Sequence, residues 1–210
     1  MTVAAKTSSQ LSRRERNKQD KLQRIRKAAS ELFQERGFVG TTTHAIADLA
    51  DISSGSLFFY ARTKEDLLGI VMANDLIETL EGACAAIPRD KPLPEKAMHV
   101  FNRLLHYHAR QKELSIYFMR ECVVMRDARA PSEIQRLTVR VAEVIERIVS
   151  QEQQAGTVRP DSSAREIAWC MFDLYLGGLG AFLNESLTLQ QSVQSIRRKF
   201  RLLFEGITSR

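Results

Sequence analysis

The stretch from Thr41 to Leu68, TTTHAIADLADISSGSLFFYARTKEDLL, constrains this chain more than any other. Two short segments with apolar faces flank a polar corner, and the second opens on small hydroxyl residues. That order fits two short helices joined by a tight turn, the second able to lie in the major groove of DNA. Thr42 is placed to cap a helix starting at Thr43, because its hydroxyl can accept a backbone N–H that has no partner in the first turn. Ile46, Ala47, Leu49 and Ala50 supply the apolar face, and the small Ala47 suits a close helix crossing. Asp51, Ile52 and Ser53 make the turn, with Ile52 filling the corner. Ser54, Gly55 and Ser56 begin the second helix, which Leu57 and Tyr60 anchor from behind.

A further helix lies upstream. Ile25, Ala28, Ala29, Leu32 and Phe33 fall at i, i+3, i+4, i+7 and i+8, one face of a helix. Gly37 is positioned to take the left-handed conformation that ends it. With the Thr41-Thr42 pair, Ile46-Ala47, Ser54-x-Ser56-Leu57, the aromatic run Phe58-Phe59-Tyr60 and Lys64-Glu65-x-Leu67-Leu68, this segment resembles the DNA-binding signature of the TetR family of bacterial transcriptional regulators. Three departures stand out. Asp51 occupies a turn position where the family usually has glycine, and Asp tolerates left-handed backbone better than most residues. Ala45 replaces a common acidic residue, so no capping box forms there. Phe58-Phe59 stand where relatives often carry Tyr-His; neither ring can donate to a phosphate, and either can touch a thymine methyl or simply pack.

Charge points the same way. Residues 1–64 hold 12 Lys and Arg against 6 Asp and Glu, a net of +6, whereas residues 65–210 are balanced at 19 against 19. Excess positive charge confined to one module is the electrostatic footprint of phosphate binding. The expected reader is the helix Ser54 to Tyr60, with Ser54, Gly55 and Ser56 at base edges and Phe58 and Phe59 beside them. Thr42, Thr43, His44, Tyr60 and Lys64 would hold phosphates on either side. Double-stranded DNA with a palindromic operator is the expected partner.

The 210 residues are enough for a substantial core, and 44% hydrophobic content excludes a wholly disordered chain. The expected organisation is a basic arm over 1–18, a helix-turn-helix domain over 19–66 and a helical domain over 67–210. No strand alternation appears, so the fold is expected to be all-α. No apolar run reaches the ~20 residues of a membrane span, and the polar SSQLSRRERNKQDK near the start is no signal peptide; a cytoplasmic protein without membrane contact is the expectation. Cys84, Cys122 and Cys170 are scattered, with no CxxC pair, which argues against a disulfide framework. No metal site, cofactor or catalytic constellation is expected, and the chain is not read as an enzyme.

Beyond Leu68 the pattern predicts helices over 65–87, 95–110, 113–127, 132–155, 163–187 and 189–207. The last two look like a dimerisation unit. Gly177, Gly178 and Gly180 interrupt good helix formers, which points to a close helix approach or a bend. Val193, Ile196, Phe200, Leu203, Phe204 and Ile207 form a single stripe. The TetR resemblance implies that these helices pair with their copies, so Leu179, Phe182, Leu183, Ile196, Phe200, Leu203 and Phe204 are expected at a homodimer interface; the same stripe can instead close the core of a monomer. The resemblance also implies a small-molecule pocket among the middle helices. Its candidate residues are Asn102, Arg103, His106, Tyr107, Tyr117, Phe118, Met119, Cys122, Trp169, Phe172, Asp173 and Tyr175. The leading function is a ligand-responsive repressor that leaves its operator when an effector binds. The alternatives are a non-specific DNA-binding protein, and an α-helical enzyme or carrier with an incidental basic end.

Overall fold

Ser12 starts the first helix. Its hydroxyl accepts the Glu15 N–H while the Glu15 carboxylate takes the Ser12 N–H, a capping box that satisfies both ends of the first turn. The computed structural model describes residues 12–120 and 132–205, and all nine of the elements among them are α-helices. The first, α1 (Arg13–Gly40), begins inside the stretch expected as a free arm because of that box; residues 1–11 of the arm lie outside the described range. Ile25, Ala28, Ala29, Leu32 and Phe33 form its buried face, as the spacing predicts. Gly37 breaks the helix with φ 70° and ψ 176°. That region is open essentially to glycine alone, so Gly37→Ala is expected to cost about 1–3 kcal/mol. An unchanged denaturant midpoint for the variant would refute this.

The next two helices are very short: α2 (Thr43–Leu49) and α3 (Ser54–Leu57). Isolated segments of that length do not hold in water. Caps and burial hold them instead. Thr42 Oγ1 accepts the Ala45 N–H at 3.1 Å and Ser53 Oγ accepts the Ser56 N–H at 3.2 Å. Ile46, Ala47 and Leu57 are almost wholly buried, and full burial of an Ile or Leu side chain contributes roughly 1.5–3 kcal/mol. Asp51 turns the corner at φ 51°, in the left-handed region. Its carboxylate accepts from Arg24 Nη1 at 3.2 Å, tying the turn to α1.

The chain divides into two compact units, 1–71 and 72–210. The helix α4 (Lys64–Ala85) contributes to both. In the second unit, α5 (Leu93–Arg110), α6 (Lys112–Tyr117), α7 (Ser132–Gln154), α8 (Ala164–Leu183) and α9 (Leu189–Glu205) follow. Pro94 sits in the first turn of α5, where no N–H is lost. Gly156, at φ 74°, closes the end of α7. Its neighbour Glu152 is bound by Lys96 at 2.6 Å and by the Thr157 hydroxyl at 2.6 Å, which clamps α5 to α7. These hydrogen bonds, with that to Lys96 foremost, hold the Glu152 carboxyl below its usual range.

By length and composition α8 is the one helix among the described residues apolar enough to cross a membrane, contrary to the expectation of none. Met171, Phe172, Tyr175 and Leu179 on it are instead buried in the body. Its three glycines differ. A Cβ on Gly178 would meet Ile196 of α9, whereas Gly177 and Gly180 face open space. Only Gly178 is a close-approach glycine.

Leu179, Phe182, Leu183, Ile196 and Phe200 are buried within the single chain. Phe200 lies against Phe101 at 5.7 Å between ring centroids, and Phe101 stacks on Tyr175 at 4.8 Å. The α9 stripe therefore closes the body of its own chain. Leu202 and Leu203 remain exposed at the end of α9, and Phe204 is half-buried; residue 207 lies outside the described range.

Candidate nucleic-acid interface and ligand cavity

The first unit presents its predicted reading residues on one side of α3. Leu57 and Ala61 point inward, 1% and 4% exposed. Winding continues past the helix, since the N–H groups of Phe58 and Tyr60 donate to Ser54 and Leu57 carbonyls at 3.2 and 2.8 Å. Gly55, Phe58, Phe59 and Arg62 are consequently turned to solvent. Ser54 and Ser56 are half-buried, and Ser56 Oγ accepts from Ser53 Oγ at 3.0 Å. Nothing lies within 4 Å of a Cβ built on Gly55. Its lack of a side chain is thus unexplained by packing, and fits close approach of a partner to the backbone.

The expected phosphate-holding residues are differently engaged. His44 is exposed, with Nδ1 2.9 Å from Asp48 Oδ2. Thr42 is exposed but its hydroxyl already caps α2, and Thr43 is half-buried. Tyr60 places its hydroxyl 3.5 Å from the Lys18 carbonyl. Lys64 is drawn onto α1, donating to the Val39 carbonyl at 3.3 Å with its ammonium 4.5 Å from the centre of the Phe38 ring. Arg62 was not singled out from sequence, yet it is exposed three residues after Phe59.

The second unit encloses a cavity of about 220 Å³. Of the expected pocket residues, Phe118, Met119, Trp169, Phe172, Asp173 and Tyr175 line it. Leu76, Leu104, His108, Ile134, Leu137, Thr138, Val141, Leu176 and Leu179 complete the wall. Apolar side chains dominate, with His108, Thr138, Trp169, Asp173 and Tyr175 bringing the polar atoms. His108 is buried and its Nδ1 lies 2.9 Å from Ser115 Oγ. Desolvation pushes its pKa down to about 3, so it is neutral in the cavity. Burial likewise raises the Tyr175 phenol, which stays protonated.

Other expected pocket residues lie elsewhere. Arg103 and His106 are exposed, and the His106 ring is held by the Asn102 carbonyl at 2.8 Å. Tyr107 donates to Asp75 Oδ2 at 3.1 Å, and burial and that carboxylate raise its pKa. Tyr117 sits beneath the Arg120 guanidinium at 5.4 Å from its ring centre. Asn102 lines a separate cleft of about 270 Å³ with His99, Glu95 and Arg197. Cys122 lies outside the described residues. His108 was missed although it follows Phe101, Leu104 and Leu105 at helical spacing, on the same buried stripe of α5.

A basic helix-turn-helix unit and a helical unit around an apolar cavity define a ligand-responsive, DNA-binding transcriptional regulator. Residues 25–69 match the family described as bacterial regulatory proteins, tetR family. The first unit thus carries the DNA-binding module of that family. It is 26% identical over 176 residues to the HTH-type transcriptional regulator UidR of Escherichia coli (strain K12), covering 80% of this chain and 85% of the relative. Among solved structures it is similar to Thermus thermophilus FadR, a TetR-family transcriptional repressor in complex with lauroyl-CoA. That match has 27% identity and a TM-score of 0.75, and covers 90% of this chain and 96% of that one. Bacillus subtilis FadR in complex with stearoyl-CoA shares the fold at 18% identity and a TM-score of 0.64, over 89% of this chain and 99% of that one.

Proposed function

We propose that this chain is a homodimeric repressor whose effector carries a long apolar chain, of the fatty acyl-thioester class. The observation that carries the reading is the cavity of about 220 Å³, walled on most sides by Leu, Ile, Val, Phe and Met. The buried His108 within it is neutral and offers no charge to an anionic ligand, and Asp173, the carboxylate in the wall, is exposed, so affinity there comes mainly from apolar burial, at roughly 25 cal/mol per Å². The lauroyl-CoA carried by Thermus thermophilus FadR supports the same class.

The DNA side of the proposal is a palindromic operator read by two copies of α3. A twofold site requires a twofold partner, with half-sites one helical turn (about 34–36 Å) or a multiple apart. Exposed Leu202 and Leu203 on α9 are apolar surface available to a second copy. Effector and operator then oppose each other through a coupling free energy, typically about 1–3 kcal/mol.

The test is a selection of bound duplexes from a randomised pool, followed by titration of the selected duplex complex with lauroyl-CoA, laurate or coenzyme A alone. Release by lauroyl-CoA at concentrations where coenzyme A has no effect is expected. A selected palindrome that no acyl thioester releases would sink the effector assignment and leave the DNA assignment standing. A pool that yields no motif would sink the DNA assignment.

A further inference from the structure

Folding does not account for Phe58 and Phe59. They are 52% and 92% exposed, consecutive, and within one turn of the residues at the start of α3. A single exposed aromatic needs no explanation. Two adjacent ones, near the end of the segment 1–64 that holds the net +6 of the chain, are surface waiting for a partner.

We propose that Phe59 reads the C5-methyl group of a thymine in each operator half-site, with Phe58 shielding the contact from water. The inference rests on the DNA-reading role proposed for α3. Its chemistry follows from what a phenyl ring lacks: having no donor or acceptor, it cannot take a phosphate oxygen or a polar base edge. Along the major groove, adenine, guanine and cytosine offer nitrogens and oxygens, whereas thymine also offers a methyl group. Opposite any other base the ring would strip water from polar atoms and return no hydrogen bond, which is unfavourable. Opposite thymine it buries apolar surface on both partners.

The placement fits. Leu57 and Ala61 are buried on the inner side of this turn, so Phe59 is presented outward together with Gly55 and Arg62. Gly55 leaves its stretch of backbone bare, allowing close approach, and Arg62, three residues after Phe59, is an exposed cation. An exposed apolar reader on a segment that also exposes bare backbone and a cation suits a groove edge bordered by phosphates.

Deoxyuridine separates this contact from every other, because it removes the C5-methyl and keeps base pairing. Each thymine in a duplex selected by the full-length protein is replaced in turn, and affinities are measured for the wild type, Phe59→Ala and Phe59→Leu. The wild type is expected to lose about fourfold at one thymine per half-site, the value of burying one methyl group. Phe59→Ala should show no loss at that same thymine, and Phe59→Leu an intermediate one. At 92% exposure the ring makes little fold contact, so both variants should unfold as the wild type does.

A scan that is flat at every thymine overturns the proposal. So does an equal loss by Phe59→Ala on selected and random duplexes, which would assign the ring to the sugar-phosphate backbone. Sensitivity to a flexible base step regardless of methylation would make it a wedge instead. Failure to select any motif would strike the underlying DNA-reading assignment, which the titration arms distinguish from these.

Discussion

Replacing Phe200 with aspartate should unfold the helical body rather than release folded monomers. The ring is 0% exposed and packs against Phe101, which in turn stacks on Tyr175. Removing a buried Phe side chain costs about 3–5 kcal/mol through lost transfer energy and the cavity it leaves. An aspartate there puts a carboxylate into a fully buried aromatic site, a further penalty of several kcal/mol, whether it stays ionised or takes up a proton. Against a total stability of about 5–15 kcal/mol, that sum exhausts most proteins. Phe200→Leu, which keeps the site apolar, should lose far less and remain helical.

The same measurement separates core from interface on α9. Circular dichroism and sedimentation of Phe200→Asp should show lost helicity, while a double Leu202→Asp, Leu203→Asp variant should keep its helicity, because both side chains are exposed in the single chain. If Phe200→Asp stays fully helical and sediments as a monomer, the ring belongs to a subunit contact and not to the core.

The uneven legibility of this molecule follows from where the information sits. In the first unit the decisive interactions are local. Thr42 caps α2 three residues from its donor, Asp51 adopts the left-handed corner, and Gly37 breaks α1, all within reach of propensity and spacing. The start of α1 is less legible, because a charged run masks the Ser12–Glu15 capping box that the sequence also carries. The cavity was half legible. Aromatic residues of α8 were found because they are conspicuous, whereas Leu104, Leu137 and Val141 are ordinary core residues by pattern and become cavity walls only through the packing of α5 against α7 and α8. An amphipathic stripe says that a face is buried and not what buries it. By pattern Ile196 and Phe200 suit a subunit contact and a monomer core equally, and only the packing beside Gly178 and Phe101 shows what covers them in the single chain.

Gly178→Val should destabilise the body severely, while the same change at Gly177 should not. A Cβ at Gly178 would come within 2.5 Å of Ile196 Cδ1 and closer still to Cγ1. Ile196 is itself 0% exposed, so its side chain has no free space to move into. Overpacking of a tight core costs about 1–3 kcal/mol for modest insertions, and a branched side chain that must push α9 from α8 belongs at or above the upper end. Helix propensity works in the opposite direction, by a fraction of about 1 kcal/mol. Repulsion therefore wins at Gly178. At Gly177 nothing stands within 4 Å, only propensity acts, and Gly177→Ala should raise stability by up to about 1 kcal/mol. The decisive comparison is the double variant Gly178→Ala with Ile196→Ala. Its second change vacates the space the first demands, so its loss should be smaller than the sum of the single losses. Strict additivity of the two in denaturant unfolding would mean that α8 and α9 do not meet at this pair.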